Sequence, residues 1–284
     1  MKLSIIIPTF NNLDYLKFFL RSLKINSTFD HEIILHINDG SDGTLKYALE
    51  NNIKHTYSKT NIGLCSSMNK AYSLTTTDHI LYAHDDMYFC KNWDIFLIDE
   101  INKQNNNQYY LSGTNVSTRH GLINFDCGLT YLDFDEKKFD NFCLQDQTPD
   151  LQSSHWAPHL IHKELWDKIG GFSEEFNPGD GSDPDFCMKL WLNDVRIFKG
   201  VSKFKVYHFN SITTRNSKIV LNNGTKTFLS KYGFNPKFFR KHYLKGNNSV
   251  VPFKGRLNNP KKTFSMLLDL TINKIKYTIN KFRA

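Results

Sequence analysis

Two hydrophobic periods alternate along the first hundred residues. Leu3 to Phe10 (LSIIIPTF) is an almost unbroken apolar, β-branched run, the pattern of a central strand buried on both faces. Leu13, Leu16, Leu20 and Leu23 then recur at helical spacing, with Asn11 or Asn12 available as the cap. His31 to Ile37 reads as a second strand, broken by Asn38-Asp39-Gly40-Ser41-Asp42-Gly43, and Thr44 to Asn51 as a second helix. A short strand over Ile53 to Ser58, a helix opened by Asn61-Ile62-Gly63 and a strand over Ile80 to Ala83 follow. This βαβα order predicts an α/β fold whose central sheet is mainly parallel, with right-handed crossovers. Further on, Lys91 to Lys103 predicts a helix and Gln104 to Gln108 a surface turn. Residues 109–150 look irregular and strand-like. Short helices are expected over His162 to Ile169 and Phe186 to Leu192, with last strands over Val195 to Phe198 and Lys203 to Phe209.

With 284 residues, 40% of them hydrophobic, the chain can bury one substantial core. One catalytic domain over 1–220 with an extension over 221–284 is therefore expected. Five scattered cysteines without a CxxC pair argue against disulfides and structural zinc. The first apolar run is too short for a secretory signal and no stretch reaches a membrane span, so a cytoplasmic location, peripheral at the inner face of the membrane, is expected. The net charge of +8 conceals a split. Residues 1–200 carry 18 Lys and Arg against 27 Asp and Glu, whereas residues 201–284 carry 18 against Asp269 alone. Such a basic extension is drawn to anionic surfaces.

The sharpest chemical signal is His84-Asp85-Asp86, directly after the apolar run Ile80 to Ala83. Open α/β sheets present ligand-binding groups at the carboxyl ends of their strands, where adjacent carboxylates can hold a divalent cation and a phosphate. An isolated Asp-Asp pair is more simply explained as a solvated turn, so the rest of the sequence has to decide.

Four segments, in order, resemble the family 2 inverting glycosyltransferases of the GT-A fold: IIIPTFNN, NDGSDGT, HDD, and GGFSEEFNPGDGSDPDFCMKLW from Gly170. The resemblance covers roughly residues 1 to 210. It implies a Rossmann-like three-layer sandwich and transfer of a sugar from a nucleotide-diphosphate donor to an acceptor hydroxyl of a glycan or lipid-linked saccharide. Pro8, Thr9 and Phe10 would line the donor's base pocket, and Asp39 would accept the N3–H of uracil or thymine, unless it only forms an Asx-turn before Gly40. Asn61 and Gly63 would face the nucleotide from a helix N-terminus, where capping alone explains Asn61 as well. Where the family usually has Asp-X-Asp, the first acid here is His84. Asp86 is the first candidate ligand for Mn2+ or Mg2+, and Asp85 is placed on the donor ribose or sugar. His84 either ligates a softer ion such as Mn2+ or only shapes the pocket.

The family's Glu-Asp pair falls on Ser182 and Asp183, which makes Asp183 the general base, with helix capping as the alternative role. Asp185 is assigned to the acceptor site or to capping, and Trp156 to the acceptor pocket or to the core. His208 would complete the metal site, or is an ordinary strand-end histidine. Arg215 and Lys218 would neutralise the diphosphate. GDGSDPDF followed by VYHF looks like members associated with rhamnose and other surface-polysaccharide sugars.

From Lys261 onward, Phe264, Leu267, Leu268, Ile272, Ile275, Ile279 and Phe282 fall on one face of a helix bearing Lys262, Lys274, Lys276 and Lys281. A basic amphipathic helix fits an anionic leaflet, and packing on protein fits the same pattern. Two other function classes compete. A sugar nucleotidyltransferase would want a Gly-rich phosphate loop bearing Lys or Arg after the first strand, which PTFNN lacks. A noncatalytic nucleotide-sugar binder would not need the segment around Asp183, and a nucleic-acid partner is not expected.

Overall fold

A computed structural model describes residues 1–119, 121–209, 222–246 and 250–282. The expected strand and helix alternation opens the chain: β1 (Ser4–Phe10), α1 (Leu13–Asn26), β2 (Glu32–Asn38), α2 (Thr44–Glu50), β3 (Lys54–Ser58), α3 (Leu64–Tyr72) and β4 (His79–Tyr82). There follow β5 (Met87–Phe89), α4 (Trp93–Asn102), β6 (Tyr109–Ser117), β7 (Ile123–Asn124), α5 (Glu136–Gln145), β8 (Leu151–Gln152), β9 (His159–His162), α6 (Lys163–Ile169) and α7 (Ser182–Leu192). The chain then forms β10 (Ile197–His208), α8 (Gly224–Tyr232), α9 (Pro236–His242) and α10 (Phe264–Phe282).

The sheet order is β3-β2-β1-β4-β9-β6-β10-β5. Its β3-β2-β1-β4 half is parallel throughout. The second half is mixed, because β9 runs antiparallel to β4 and β6, and β5 antiparallel to β10. Strands β1, β2 and β4 are buried almost end to end, as parallel strands covered on both faces must be. One helix group, α1, α4 and α5, is tied together by Arg21–Glu136 and by Asn92 N–H donating to Asn26. The other joins α3, α6 and α7 through Tyr72 stacked on Trp166 and Trp166 against Phe186. The result is the expected three-layer GT-A arrangement.

Three elements differ from the sequence reading. The stretch 109–150 contains α5, which buries only Phe139 and therefore lacks a strong helical stripe. The two last strands are one, β10, interrupted by a register shift between Val201 and Lys205. Helix α7 starts at Ser182 rather than Phe186, since Pro184 lies in its first turn where no backbone donor is needed. Among the described residues no helix is long and apolar enough to cross a membrane.

Candidate active site

The site is built at the carboxyl ends of β1, β2, β4 and β10. Strand β4 stops at Tyr82, opposite Ile6, whereas β1 continues to Phe10 with β2 beside it. Pro8, Thr9 and Phe10 thus lie beyond the end of β4, and the missing N–H of Pro8 costs no ladder bond on that side. Asn12 is the N-cap residue of α1, its carbonyl accepting from Leu16 N–H at 2.9 Å, but neither Asn11 nor Asn12 caps the helix through its side chain. Asp42 does so, accepting from Leu13 N–H at 2.8 Å and from Thr44 N–H of α2 at 3.0 Å. The two asparagines are freed to hold acids: Asn11 donates to Asp39 at 2.8 Å and Asn12 to Asp85 at 3.0 Å. The sequence shows NN and DGSD but not that Asn11 pairs with Asp39 and Asn12 with Asp85.

Asp39 sits in the left-handed region at φ 61°, with its own N–H donating to Ser58 at 2.8 Å. Asn61 accepts from Gly63 N–H at 2.9 Å, forming a local turn. The start of α3 is capped instead by Asn177, whose Oδ1 accepts from Cys65 N–H at 3.0 Å. Gly63 is required there: at φ +84° a Cβ would stand 2.4 Å from that Asn177 oxygen.

His84, Asp85 and Asp86 form the link between β4 and β5. Because β5 pairs antiparallel with β10, Met87 stands opposite His208, and this brings His208 onto Asp86. His208 Nε2 lies 3.1 Å from Asp86 Oδ1 and 3.4 Å from His84 Nδ1, and the latter lies 4.0 Å from Asp86 Oδ1. Tyr82 fixes the other face of the His84 ring, its hydroxyl 2.6 Å from Nε2, so that Nδ1 is turned to the cluster. Burial and the neighbouring His208 push His84 down to about 4, which keeps the imidazole neutral. Burial also works against charge on His208, but Asp86 outweighs it and raises that ring's pKa. Asp85 is raised by burial and then by Asp86, and its Oδ2 has no hydrogen-bond partner among the described residues. Two imidazoles and a carboxylate converging this closely, beside an unsatisfied carboxylate oxygen, fit a divalent cation with ligand bonds of about 2.1 Å.

Asp183 stands in the first turn of α7, behind the N-cap Gly181 at φ +82°. Its Oδ1 is buried without a hydrogen-bond partner, and no capping bond reaches its side chain among the described residues. Burial pushes Asp183 up to about 7, against the opposing pull of His208. Asp185 faces elsewhere: fully buried, it accepts from Tyr232 at 2.7 Å and pairs with Lys231 at 2.9 Å, tying α7 to α8. Trp156 donates its indole N–H to Gly113 of β6 at 2.9 Å and remains half-buried. Arg215 and Lys218 lie outside the described residues.

The family model for glycosyl transferase family 2 matches residues 4–200. The chain is a family 2 glycosyltransferase. No curated protein matches this glycosyltransferase in sequence. Among solved structures it is similar to Staphylococcus aureus TarS 1-349 in complex with UDP-GlcNAc, with TM-score 0.54 and 19% identity over 74% of this chain and 61% of that one. The same TarS segment in complex with UDP gives TM-score 0.56 and 18% identity over 82% and 72% of the two chains. GalNAc-T7 with UDP, GalNAc and Mn2+ gives TM-score 0.59 and 13% identity over 88% and 52%. The glycosyltransferase spans about three fifths of the TarS chain with UDP-GlcNAc that it matches.

Proposed function

We propose that this glycosyltransferase moves a sugar from a nucleoside diphosphate donor to a hydroxyl of a glycan or lipid-linked saccharide, with inversion at the anomeric carbon. The observation that carries the reading is Asp183, a half-buried carboxylate whose Oδ1 is enclosed and unpaired among the described residues, close enough to His208 for each to shift the other. A carboxylate raised to about 7 is matched to taking a hydroxyl proton near neutral pH. Asp183 removes that proton as the acceptor oxygen attacks the anomeric carbon, while the bond from that carbon to the diphosphate oxygen breaks on the opposite face.

Asp86, His208 and His84 would hold a divalent cation, Mn2+ or Mg2+, whose positive charge stabilises the departing diphosphate. The two imidazoles favour Mn2+ over the oxygen-loving Mg2+. The GalNAc-T7 structure contains Mn2+ and UDP, and TarS holds UDP-GlcNAc, which supports a uridine donor here. Asp39, oriented by Asn11, accepts the N3–H of the base, and Pro8, Thr9, Phe10, Asn61 and Gly63 border the nucleotide. Asp85, held by Asn12, orients the ribose or sugar. Arg215 is assigned to the diphosphate, Trp156 to the acceptor sugar and Asp185 to fixing the acceptor side through α8. Lipid-linked acceptors would meet the enzyme at a membrane surface, which its basic C-terminal segment favours.

The test is a panel of nucleotide sugars, including UDP-GlcNAc, UDP-GalNAc and dTDP-rhamnose, screened for Mn2+-dependent binding and for release of the nucleoside diphosphate. Metal-dependent release of UDP or dTDP from one donor is expected. Binding without release would return the protein to a noncatalytic sugar-nucleotide binder, and pyrophosphate release from a sugar phosphate and a nucleoside triphosphate would mark a nucleotidyltransferase.

A further inference from the structure

Helix α10 is attached to the rest of the molecule by the face opposite its apolar stripe. Met266, Asp269, Leu270 and Asn273, at i, i+3, i+4 and i+7, form the attached face. Met266 and Asn273 are buried, Leu270 packs on the core, and Asn273 Oδ1 accepts from Asn235 N–H of the α9 cap at 2.9 Å. Asp269 Oδ2 receives Lys241 Nζ and His242 Nε2 of α9, each at 2.7 Å. At about 100° per residue, the stripe of Phe264, Leu267, Leu268, Ile272 and Ile275 centres about 170° away from this face. It is solvent-exposed: Phe264 at 84%, Leu267 at 50%, Leu268 at 52%, Ile272 at 42% and Ile275 at 57%. An ordinary surface helix turns its apolar stripe inward, and this one does the reverse.

Charge identifies the occupant. Residues 201–284 hold 18 Lys and Arg, and their lone acid, Asp269, is engaged on the attached face. Two copies meeting through their stripes would bring two strongly positive segments together, whereas an anionic leaflet neutralises them. Lys274 and Lys276 stand about 100° to either side of the stripe centre, where their stems can run along the apolar surface and their ammonium groups reach lipid phosphates.

We propose that α10 lies in the plane of an anionic bilayer, with Phe264, Leu267, Leu268, Ile272 and Ile275 among the acyl chains and Lys274 and Lys276 on the headgroups. The clamp of Asp269 and Asn273 on α9 remains closed, so the catalytic body is held at the surface rigidly and not on a tether. Helix α9 in turn packs on α7, the helix that carries Asp183, through rings such as Phe239 against Trp191. The inference extends the lipid-linked acceptor reading and rests on it only for the purpose of the attachment.

The experiment is co-sedimentation of the full chain with vesicles of phosphatidylcholine alone or with 30% phosphatidylglycerol. Binding to the anionic vesicles is expected, weakening about fivefold for each of Lys274→Gln and Lys276→Gln. Leu268→Glu with Ile275→Glu, both at exposed positions, should weaken it at least a hundredfold while leaving the circular dichroism spectrum and donor binding unchanged. Amide hydrogen exchange in α9 should not rise on vesicle binding, because the clamp stays closed. Equal affinity for both vesicles, unchanged binding by the double Glu variant, or deprotection of α9 would overturn the proposal. So would a dimer in sedimentation velocity that the double Glu variant dissolves, since a second copy would then occupy the stripe. Donor binding is measured on the same samples, so loss of the transfer reading leaves the vesicle result standing.

Discussion

Two acidic centres share the same edge of the sheet and have opposite surroundings. Asp86 lies against the imidazoles of His84 and His208, at 4.0 and 3.1 Å. Asp183 has no such partner at Oδ1 among the described residues, and burial lifts it to about 7. A carboxylate supplied with ligand-type neighbours is suited to sharing a cation, and one deprived of partners is suited to taking a proton. Both surroundings are given to the same residue type, the first by an antiparallel strand pair and the second by a helix start behind Gly181.

The largest test of this division is Asp183→Asn, which preserves size and removes the capacity to accept a proton. A loss of 10²- to 10⁴-fold in kcat is expected, with donor affinity unchanged. Near-normal transfer by the folded variant would remove Asp183 from the chemistry. The wild-type kcat should also rise as pH passes upward through about 7, since the base works only when deprotonated, and bound cation should move this limb to lower pH. A flat profile between pH 5 and 8 would contradict the assignment. Asp86→Ala is expected to weaken Mn2+-dependent binding of the nucleoside diphosphate by about a hundredfold, read by calorimetry. His208→Ala should cost less, about tenfold in the same titration, because Asp86 and His84 remain. Unchanged metal affinity there would make His208 an ordinary strand-end residue.

The parallel half of the fold was legible because buried parallel strands read as unbroken runs such as Leu3 to Ile7, and the helices between them keep an apolar stripe. The mixed half was less so. Nothing in the HLIH of β9 states its direction, and β10 hides a buried Lys199, paired with Glu100 at 2.5 Å and Asp150 at 2.7 Å, in what reads as a polar break. That His84 and Asp86 follow a strand was readable from position, and Asp183 stood out only through the resemblance of the segment from Gly170. The partners of the neighbouring acids were not readable: Asn11 reaches Asp39 and Asn12 reaches Asp85 across loops, Asp42 serves the start of α1, and a capping-type residue in sequence does not say which helix it caps. In α10 the sequence showed the stripe, but its outward direction required the clamp on α9.

The central claim is that donor clamping and proton removal reside in separate carboxylates. The direct measurement pairs donor affinity in saturating Mn2+ with the single-turnover transfer rate, for Asp86→Ala and Asp183→Asn side by side. The account predicts that Asp183→Asn binds donor normally and transfers slowly, while Asp86→Ala fails already at binding. If both variants lose donor affinity together, or both bind normally and fail only in transfer, the two centres are one and the division of labour is wrong.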